Sequence, residues 1–247
     1  MSRNFELMMK AEKEVKTVGV PSGYTATNNG RSTRLDLDSR AREETNRLVQ
    51  LVFPANARDS ARIVVFCGVE HGDGCSQICA CAGEALAAPG TGSVCLVDAS
   101  FHRPSLSEYF GAENRRGLTD ALVQQGPIRE FAQELSQNNL WLMPRGSRSS
   151  DGQNLLGSGI LRARMGELRT EFGYILVDAP PVNLSADAIA LGQLADGVVL
   201  VIGAHSTKRE AAQKAKENLE AANVRILGAV LNRRTFPIPE MLYRRIL

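Results

Sequence analysis

The segment GVEHGDGCSQ, residues 68–77, joins an apolar run rich in β-branched residues to a helical pattern. Gly72 and Gly74 allow the backbone to curl so that successive N–H groups face one point, where the helix N-terminus adds positive potential. Such a turn cradles phosphate groups. A working phosphate loop ends in G-K-[ST], in which the lysine reaches the terminal phosphates and the hydroxyl reaches magnesium. Here Gly74 is followed by Cys75 and Ser76, so the hydroxyl is kept and the ammonium group is missing.

Two aspartates end other apolar runs of the chain. Asp98 follows SVCLV, and Asp178 follows YILV. A carboxylate at the end of a buried parallel strand is the usual way to hold hydrated magnesium beside a phosphate loop. Either aspartate could equally cap the helix or turn that follows it. Their order after the glycine-rich turn favours a shared nucleotide-binding role.

The elements that must position these residues alternate between strands and helices. Short apolar runs predict six strands, at residues 61–69, 93–100, 139–146, 174–182, 196–204 and 224–234, and helical patterns lie between them, including one over residues 128–135. Strands that are apolar throughout and alternate with helices predict an α/β fold with a doubly wound, mostly parallel sheet and helices on both faces. Ligands of such sheets bind beyond the carboxyl ends of the strands, where the glycine-rich turn and both aspartates lie.

The composition excludes several classes of protein. The chain has 247 residues, of which 43% are hydrophobic and 23% charged, and its formal net charge is +2. That balance gives no electrostatic reason to expect a nucleic-acid partner or direct membrane binding. No apolar run approaches the ~20 residues that span a bilayer, and the N-terminal residues lack the apolar centre of a signal peptide. We therefore predict a cytoplasmic protein.

The five cysteines all lie between Cys67 and Cys95. Their odd number argues against a disulfide framework, and the spacing of Cys75, Cys79 and Cys81 is not that of structural zinc. Small buried thiols in a reducing cytoplasm are the favoured interpretation. Cys75 precedes a helix N-terminus, which lowers the pKa of a thiol. Two interpretations of Cys75 therefore stay open. It is either a redox-sensitive thiol or a neutral residue at a position where a lysine is no longer used.

The chain is predicted to divide into three parts. Residues 1–37 are interpreted as an N-terminal tail, with a short amphipathic helix at about residues 5–15 and a flexible linker rich in Gly, Ser, Thr and Asn. Residues 38–235 are predicted to form one α/β domain, and residues 236–247 a C-terminal tail.

Seven segments, in this order and spacing, resemble the bacterial tyrosine kinases: VVFCGVEHGDGCSQ, VCLVDASFHRPSLSEYFG, GLTDAL, NLLGS, YILVDAPPV, ADGVVLVI and ILGAVLNR. These kinases are cytoplasmic autokinases of capsule and exopolysaccharide synthesis, related to the MinD and ParA class of P-loop ATPases. The resemblance spans about residues 39–234 and implies that fold, with ATP and Mg²⁺ as cofactors. It implies catalytic roles for Asp98 and Asp178, magnesium ligation by Ser76, Asp98 and Asp178, and a nucleotide site made of Gly72, Asp73, Gly74, Cys75, Ser76, Arg103 and Asn232.

The departures from the family pattern fall on charged groups. The family has lysine at the position of Cys75. Its second acidic motif resembles D-x-D-x-R-R-P, where this chain keeps Asp98 and Arg103 but has Ser100 and His102. Neutral side chains at positions 75 and 100 cannot replace an ammonium group and a carboxylate, and phosphoryl transfer relies on positioning and electrostatics. The resemblance therefore implies a degenerate kinase.

Two further family features bear on assembly and on phosphorylation. The helix before the first family strand carries E-x-x-R-x-x-R, which is associated with ring assembly. Here Glu44 and Arg47 match this motif, which implies contacts in a homo-oligomer, while Gln50 replaces the second arginine. Family members end in a cluster of tyrosines that become phosphorylated, whereas the tail of this chain has only Tyr243.

These observations predict a scaffold or regulator in exopolysaccharide or capsule biosynthesis and export, with weak or no ATP binding and kinase activity. Its predicted partner is a membrane-embedded polysaccharide chain-length regulator or an active kinase paralogue, met at the inner face of the cell membrane. One alternative is an active tyrosine autokinase with an unorthodox phosphate loop, in which Arg103, Lys208 or a neighbouring subunit's lysine supplies the missing charge. The other alternative is a positioning ATPase of the MinD and ParA type.

Overall fold

The computed structural model describes residues 16–21, 24–25, 36–37, 39–54, 61–87, 92–101, 105–136, 139–147 and 159–234. Its strands are β1 (Lys16–Pro21), β2 (Tyr24–Thr25), β3 (Asp36–Leu37), β4 (Ile63–Gly68), β5 (Val94–Asp98), β6 (Gln133–Ser136), β7 (Leu140–Met143), β8 (Tyr174–Ala179), β9 (Gly197–Gly203) and β10 (Ile226–Arg234). Its helices are α1 (Ser39–Val52), α2 (Cys75–Leu86), α3 (Leu106–Phe110), α4 (Leu118–Val123), α5 (Gly159–Glu171), α6 (Asp187–Leu194) and α7 (Arg209–Ala221), with a 3-10 turn at Ile128–Phe131.

Eight of these strands form one sheet in the order β1-β10-β9-β4-β8-β5-β7-β6. Neighbouring strands run parallel except β6, which is antiparallel to β7. The central strands β4, β5 and β9 are buried along their whole length, as expected of parallel strands covered on both faces. The predicted α/β class, with a doubly wound and mostly parallel sheet, is confirmed.

Alternate side chains of the sheet pack into two cores, one on each face. On β4, Val64 and Phe66 pack with α1, α2 and α3. Val65 and Cys67 point the other way and pack with α4, α5, α6 and α7. The two layers of helices leave the carboxyl ends of the strands as the edge at which loops can approach one another.

Strand β1 lies inside the stretch that the sequence analysis assigns to a tail with a flexible linker. Lys16 pairs with Gly228 and Val18 with Val230, so this segment adds a parallel strand at the edge of the sheet beside β10. Residues 19–21, where the predicted linker begins, are therefore part of a strand, and the bounds of the predicted tail stay a prediction. The segment is short and rich in glycine and proline, and its pairing partner lies at the far end of the domain, so local composition does not reveal it. The predicted helix at residues 5–15 lies outside the described residues.

The predicted helix over residues 128–135 is also wrong in its second half. The chain forms the 3-10 turn at Ile128–Phe131 and then β6, which pairs with β7 from Gln133 opposite Leu142. The pairing gives the backbone of this edge segment the hydrogen bonds that a continued helix would have supplied. The other predicted strands and helices agree with the structure to within a few residues.

Candidate functional site

The order of the strands brings the predicted site residues to one edge of the sheet. Strand β8 lies between β4, which leads into the glycine-rich turn, and β5, which ends at Asp98. Asp98 and Asp178 are direct partners across β5 and β8. Neighbouring strands lie about 4.8 Å apart, so the two aspartates are adjacent at the edge of the sheet from which the glycine-rich turn leaves β4.

The turn has the backbone shape of a phosphate cradle. Gly72 and Gly74 have φ values of 87° and 83°, in the left-handed region that favours glycine. A side-chain carbon at position 74 would in addition overlap the side-chain amide of Asn232. Helix α2 begins at Cys75, so its free first-turn N–H groups face the turn. The loop therefore keeps its form without a lysine at position 75.

Asp73 fastens this loop with its side chain. The Oδ2 atom of Asp73 accepts hydrogen bonds from the amides of Val69 at 3.0 Å and Glu70 at 2.8 Å. Its Oδ1 atom accepts a 2.7 Å bond from the hydroxyl of Thr207, in the turn after β9. Both oxygens of this buried carboxylate are thus engaged within the protein. Its side chain supports the loop, which leaves the backbone to face a ligand. Sequence reasoning missed Thr207, which belongs to no motif.

Asn232, predicted to contact a nucleotide base, also supports the loop. It is buried at the end of β10, and its Nδ2 atom donates a 2.8 Å hydrogen bond to the carbonyl of Asp73. Its Oδ1 atom accepts a 2.9 Å bond from the amide of Arg233. The amide group carries a second N–H on Nδ2, so a contact with a base stays a prediction.

Asp98 is fully buried and is stabilised by its own loop. Its carboxylate accepts hydrogen bonds from the amides of Ser100 at 3.1 Å and Leu106 at 3.3 Å. Burial raises the pKa of Asp98 from 3.8 to about 6, although these amides and the positive charge of Arg145 lower it. Hydrogen bonds and a nearby cation favour the ionised form, so Asp98 is largely charged at neutral pH.

Asp178 is also fully buried, but it lacks such support. Among the described residues, neither oxygen of its carboxylate accepts a hydrogen bond. Burial and the charge of Asp98 raise the pKa of Asp178 from 3.8 to about 7. The nearby Ser76 hydroxyl and Cys75 thiol lower that pKa, but neither reaches hydrogen-bonding geometry with the carboxylate. A buried carboxylate without partners is costly, and a cation at position 75 would offset that cost.

The environment of Cys75 disfavours a reactive thiolate. Burial and the negative charge of Asp178 raise the pKa of the Cys75 thiol well above its ordinary value. This outweighs the effect of the helix N-terminus that the sequence analysis considered. All five cysteines are free thiols, and Cys67, Cys79, Cys81 and Cys95 are buried, as predicted.

Ser76, Asp98 and Asp178 are the described side chains from which the resemblance implies oxygen ligands for a magnesium ion. Mg²⁺ requires a near-octahedral set of oxygen ligands. Asp98 accepts one amide hydrogen bond on each oxygen, and the remaining lone pairs of its carboxylate leave it an oxygen donor beside Asp178 and Ser76. In the described part of the chain, no group of three or more His, Cys, Asp or Glu side chains could hold a metal ion. Magnesium ligation by Ser76, Asp98 and Asp178 therefore stays a prediction from the resemblance.

Two side chains near the site were assigned no role from the sequence. Arg145 follows β7, and its buried guanidinium donates a hydrogen bond to the carbonyl of Phe101. Tyr109 is half-buried on α3, and burial together with the charge of Asp178 raises its pKa. Arg145 lies near the end of the strand predicted at residues 139–146, as Asp98 does in the strand predicted at residues 93–100, so the signal that indicated Asp98 was present. The sequence did not show that β7 lies next to β5.

The remaining predicted residues lie outside this cluster or beyond the described ranges. Arg103 and Tyr243 are outside the described residues. Lys208 is exposed, next to Thr207 at the start of α7. On α1, Arg47 is exposed and Glu44 is half-buried, three residues apart on one face of the helix. Both are accessible to a neighbouring molecule, as a contact between subunits requires.

Comparison with known proteins assigns the family. The family model described as cellulose biosynthesis protein BcsQ matches residues 61–224, a range that begins just before β4 and ends just after α7. The chain belongs to the BcsQ family. The matched range contains the glycine-rich turn and both buried aspartates of this BcsQ-family chain.

Relatives of this BcsQ-family chain include proteins named as tyrosine kinases, which confirms the resemblance. Tyrosine-protein kinase YwqD of Bacillus subtilis is 33% identical over 139 residues, which cover 56% of this chain and 59% of YwqD. Tyrosine-protein kinase CpsD of Streptococcus agalactiae is 29% identical over 173 residues, which cover 70% of this chain and 75% of CpsD. The kinase domain of Escherichia coli tyrosine kinase ETK superposes with a TM-score of 0.79 at 18% identity, covering 91% of this chain and 93% of that domain. The chain therefore has the fold of this kinase domain.

Because Asp178 is buried, we expect the stability of the protein to depend on pH. The folded state holds the Asp178 proton between pH 3.8 and about 7, a range in which the unfolded chain has lost it. The contribution of this group to stability therefore falls as pH rises through that range. Asp178→Asn removes the effect and should raise the free energy of unfolding, relative to wild type, by about 2–4 kcal/mol at pH 8 and hardly at pH 4. Urea unfolding at the two pH values measures the difference.

Asp196→Asn is a matched control, because the contribution of Asp196 to stability should depend on pH in the opposite direction. Burial raises the pKa of Asp196, but the amide of Ile63 and the guanidinium of Arg169 outweigh it and hold the pKa below its ordinary value. The stabilisation from Asp196 is present above the unfolded pKa and is lost as pH falls. Asp196→Asn should therefore be destabilising at pH 7 and less so at pH 3. Equal effects of Asp178→Asn at pH 4 and pH 8 would contradict our account of Asp178.

Proposed function

We propose that this chain is a degenerate tyrosine-autokinase-like protein that acts as a scaffold or regulator in exopolysaccharide or capsule biosynthesis and export. The observation that carries the proposal is a phosphate loop that keeps its backbone form while the charges needed for phosphoryl transfer are missing. Position 75 holds a neutral thiol near the Asp178 carboxylate, which accepts no hydrogen bond from the described residues, and position 100 holds a serine.

The missing lysine accounts for weak nucleotide binding. In a phosphate loop the ammonium group makes charge-assisted hydrogen bonds to the terminal phosphates, each contributing roughly 1.5–3 kcal/mol. Without it, the terminal phosphates would approach the negative charges of Asp98 and Asp178 with less compensation. Phosphoryl transfer depends almost entirely on such positioning and electrostatics. The expected catalytic activity is therefore weak or absent.

The preserved loop supports a binding role in place of a catalytic one. Asp73, Thr207 and Asn232 hold the turn through hydrogen bonds within the protein. The surface of the kinase fold is therefore kept without nucleotide, and a partner that recognises that surface could still bind it. We propose that the partner is a membrane-embedded polysaccharide chain-length regulator or an active kinase paralogue. No helix in the described ranges is long and apolar enough to cross a bilayer, so membrane contact is proposed to occur through that partner.

The two alternatives are less well supported by the site. An active autokinase needs a cation at the terminal phosphates, and Lys208 is an exposed candidate close to the loop through its neighbour Thr207. A positioning ATPase of the MinD and ParA type needs nucleotide-switched dimerisation, which the missing lysine also weakens. Both alternatives require tight binding of ATP, so one titration separates them from the proposed function.

Titration calorimetry with ATP–Mg should give an affinity for the wild-type protein weaker than the micromolar range. Cys75→Lys combined with Ser100→Asp should improve the affinity by about tenfold or more, because a charged hydrogen bond of roughly 1.5–3 kcal/mol is restored. Cys75→Met with Ser100→Asn is the matched control, since it changes side-chain size without adding charge. Micromolar or tighter binding by the wild-type protein would contradict the proposal.

Autophosphorylation should be undetectable in the isolated protein, because position 75 has no ammonium group for the terminal phosphates and position 100 has no carboxylate. Mass spectrometry after incubation with ATP–Mg measures it, and Tyr243→Phe controls for phosphate at other positions. Phosphotyrosine at Tyr243 in a preparation free of other kinases would identify an active autokinase. Phosphorylation that requires an added kinase paralogue would instead make this chain a substrate of that kinase.

The isolated chain should be a monomer or a weak, concentration-dependent oligomer. Gln50 replaces an arginine of the family motif, so one ionic contact per interface is missing, while Arg47 is an exposed basic residue of that face. Exposed ion pairs contribute only about 0–1 kcal/mol. Light scattering should show that Arg47→Ala weakens any association, whereas Arg42→Ala, on another face of α1, does not. If both the wild-type protein and Arg47→Ala form a ring that persists on dilution, this helix does not mediate assembly.

A further inference from the structure

Four basic residues lie at one corner of the sheet, where the neighbouring strands β9 and β10 end. Lys208 and Arg209 stand at the start of α7, in the connection that follows β9. Arg233 and Arg234 are the last two residues of β10. Lys208, Arg209 and Arg233 are exposed, and Arg234 is half-buried. We call these four residues the basic corner.

Hydrogen bonds to Asp73 hold the two segments of the basic corner together. Thr207, the residue before Lys208, donates a 2.7 Å bond from its hydroxyl to the carboxylate of Asp73. Asn232, the residue before Arg233, donates a 2.8 Å bond from its side-chain amide to the carbonyl of Asp73. Lys208 and Arg233 thus each follow a residue that is bonded to the same aspartate. Their side chains therefore extend from neighbouring points on a fixed backbone.

The backbone of Arg233 is strained. Its φ is 58°, in the left-handed region that is unfavourable for residues other than glycine. Its amide donates a 2.9 Å hydrogen bond to the Oδ1 atom of Asn232, which supports this conformation. Strained residues persist where the surrounding contacts fix them, and they cluster at sites that bind a ligand or a partner.

Acidic residues offset the charge of the basic corner only in part. The segments that form it, residues 203–210 and 231–234, contain one acidic residue, Glu210. In the adjoining phosphate loop, Asp73 is buried and Glu70 is half-buried. The exposed charged groups of the corner are therefore mostly cationic. The formal net charge of +2 does not reveal this, because it sums over the whole chain.

We propose that the basic corner is a docking surface for the anionic headgroups of a lipid bilayer. Several Lys and Arg side chains on one surface are together attracted to an anionic membrane. The large hydrophobic side chains that are exposed among the described residues, Val123, Ile160 and Leu184, lie outside these two segments. Without such an anchor, the corner suits a diffuse charged surface better than a peptide held in a pocket. The inference rests on the proposed function, which brings the chain to a membrane through its partner, and it adds a direct contact with the lipid.

Co-sedimentation with lipid vesicles, without nucleotide, tests the proposal. Vesicles of phosphatidylcholine alone are compared with vesicles in which about one third of the lipid is anionic phosphatidylglycerol. The wild-type protein should bind the anionic vesicles at least about tenfold more strongly than the neutral ones. Raising NaCl from about 0.05 to 0.5 M should abolish that difference, because salt screens the charges. Lys208→Glu combined with Arg233→Glu should weaken binding to the anionic vesicles by about tenfold or more.

Arg162→Glu combined with Arg225→Glu is the matched control. Both arginines are exposed, and Arg225 precedes β10, at the opposite end of that strand from Arg233. This variant changes the net charge by the same amount and keeps the basic corner, so it should bind the anionic vesicles as the wild-type protein does. Equal losses in the two double variants would overturn the proposal, as would wild-type binding that does not distinguish the two kinds of vesicle.

Circular dichroism checks that each double variant is folded. If Lys208→Glu with Arg233→Glu does not fold, Lys208→Gln with Arg209→Gln, which leaves the strained residue unchanged, takes its place with the same direction of effect. The comparison of the two kinds of vesicle needs no variant.

Binding of duplex DNA in the same assay decides between two anionic surfaces. Wild-type binding to DNA that is tighter than binding to the anionic vesicles, and that weakens equally in Lys208→Glu with Arg233→Glu, would assign the corner to nucleic acid and overturn the proposal. The proposed function is judged separately, by the affinity of the unaltered chain for ATP–Mg.

Discussion

Asp98 and Asp178 lie opposite each other where two buried parallel strands end, and neither is exposed to solvent. Water cannot stabilise their charges there, so the surrounding residues must do so or one carboxyl group must keep its proton. Asp98 has amide donors and the nearby charge of Arg145, whereas Asp178 has a neutral thiol and a hydroxyl nearby. This unequal support sets the pKa of each group and limits what the site can bind.

The backbone conformation of the phosphate loop and its positive charge depend on different residues. The form depends on hydrogen bonds from Asp73 and Asn232 and on glycines at positions with positive φ. The charge would depend on the side chain at position 75. Cysteine at position 75 carries no such charge, while the hydrogen bonds that hold the loop are present, and this combination supports the proposed binding role.

Sequence patterns were sufficient to predict the features that depend on the residue types within one segment. The central strands are continuous apolar runs, and the two aspartates end such runs, so the parallel sheet and the meeting of Asp98 with Asp178 could be predicted. Strand β1 and residue Arg145 could not, because both depend on which strands are neighbours in the sheet. Arg145 follows β7 and donates a hydrogen bond to Phe101 in the loop after β5, and β1 pairs with β10 from the other end of the chain. Asn232 shows the same limit, since its loop-holding bond joins residues far apart in sequence.

The most direct test of the missing cation is the energetic coupling between positions 75 and 178. A double-mutant cycle would compare the free energies of unfolding of Cys75→Lys, Asp178→Asn, the double variant and the wild-type protein at pH 8. The account predicts that Cys75→Lys raises the free energy of unfolding more in the protein with Asp178 than in the Asp178→Asn variant. The difference between the two effects should be about 1 kcal/mol or more, because only the Asp178 carboxylate can pair with the new lysine. An equal effect of Cys75→Lys in both backgrounds would contradict the account.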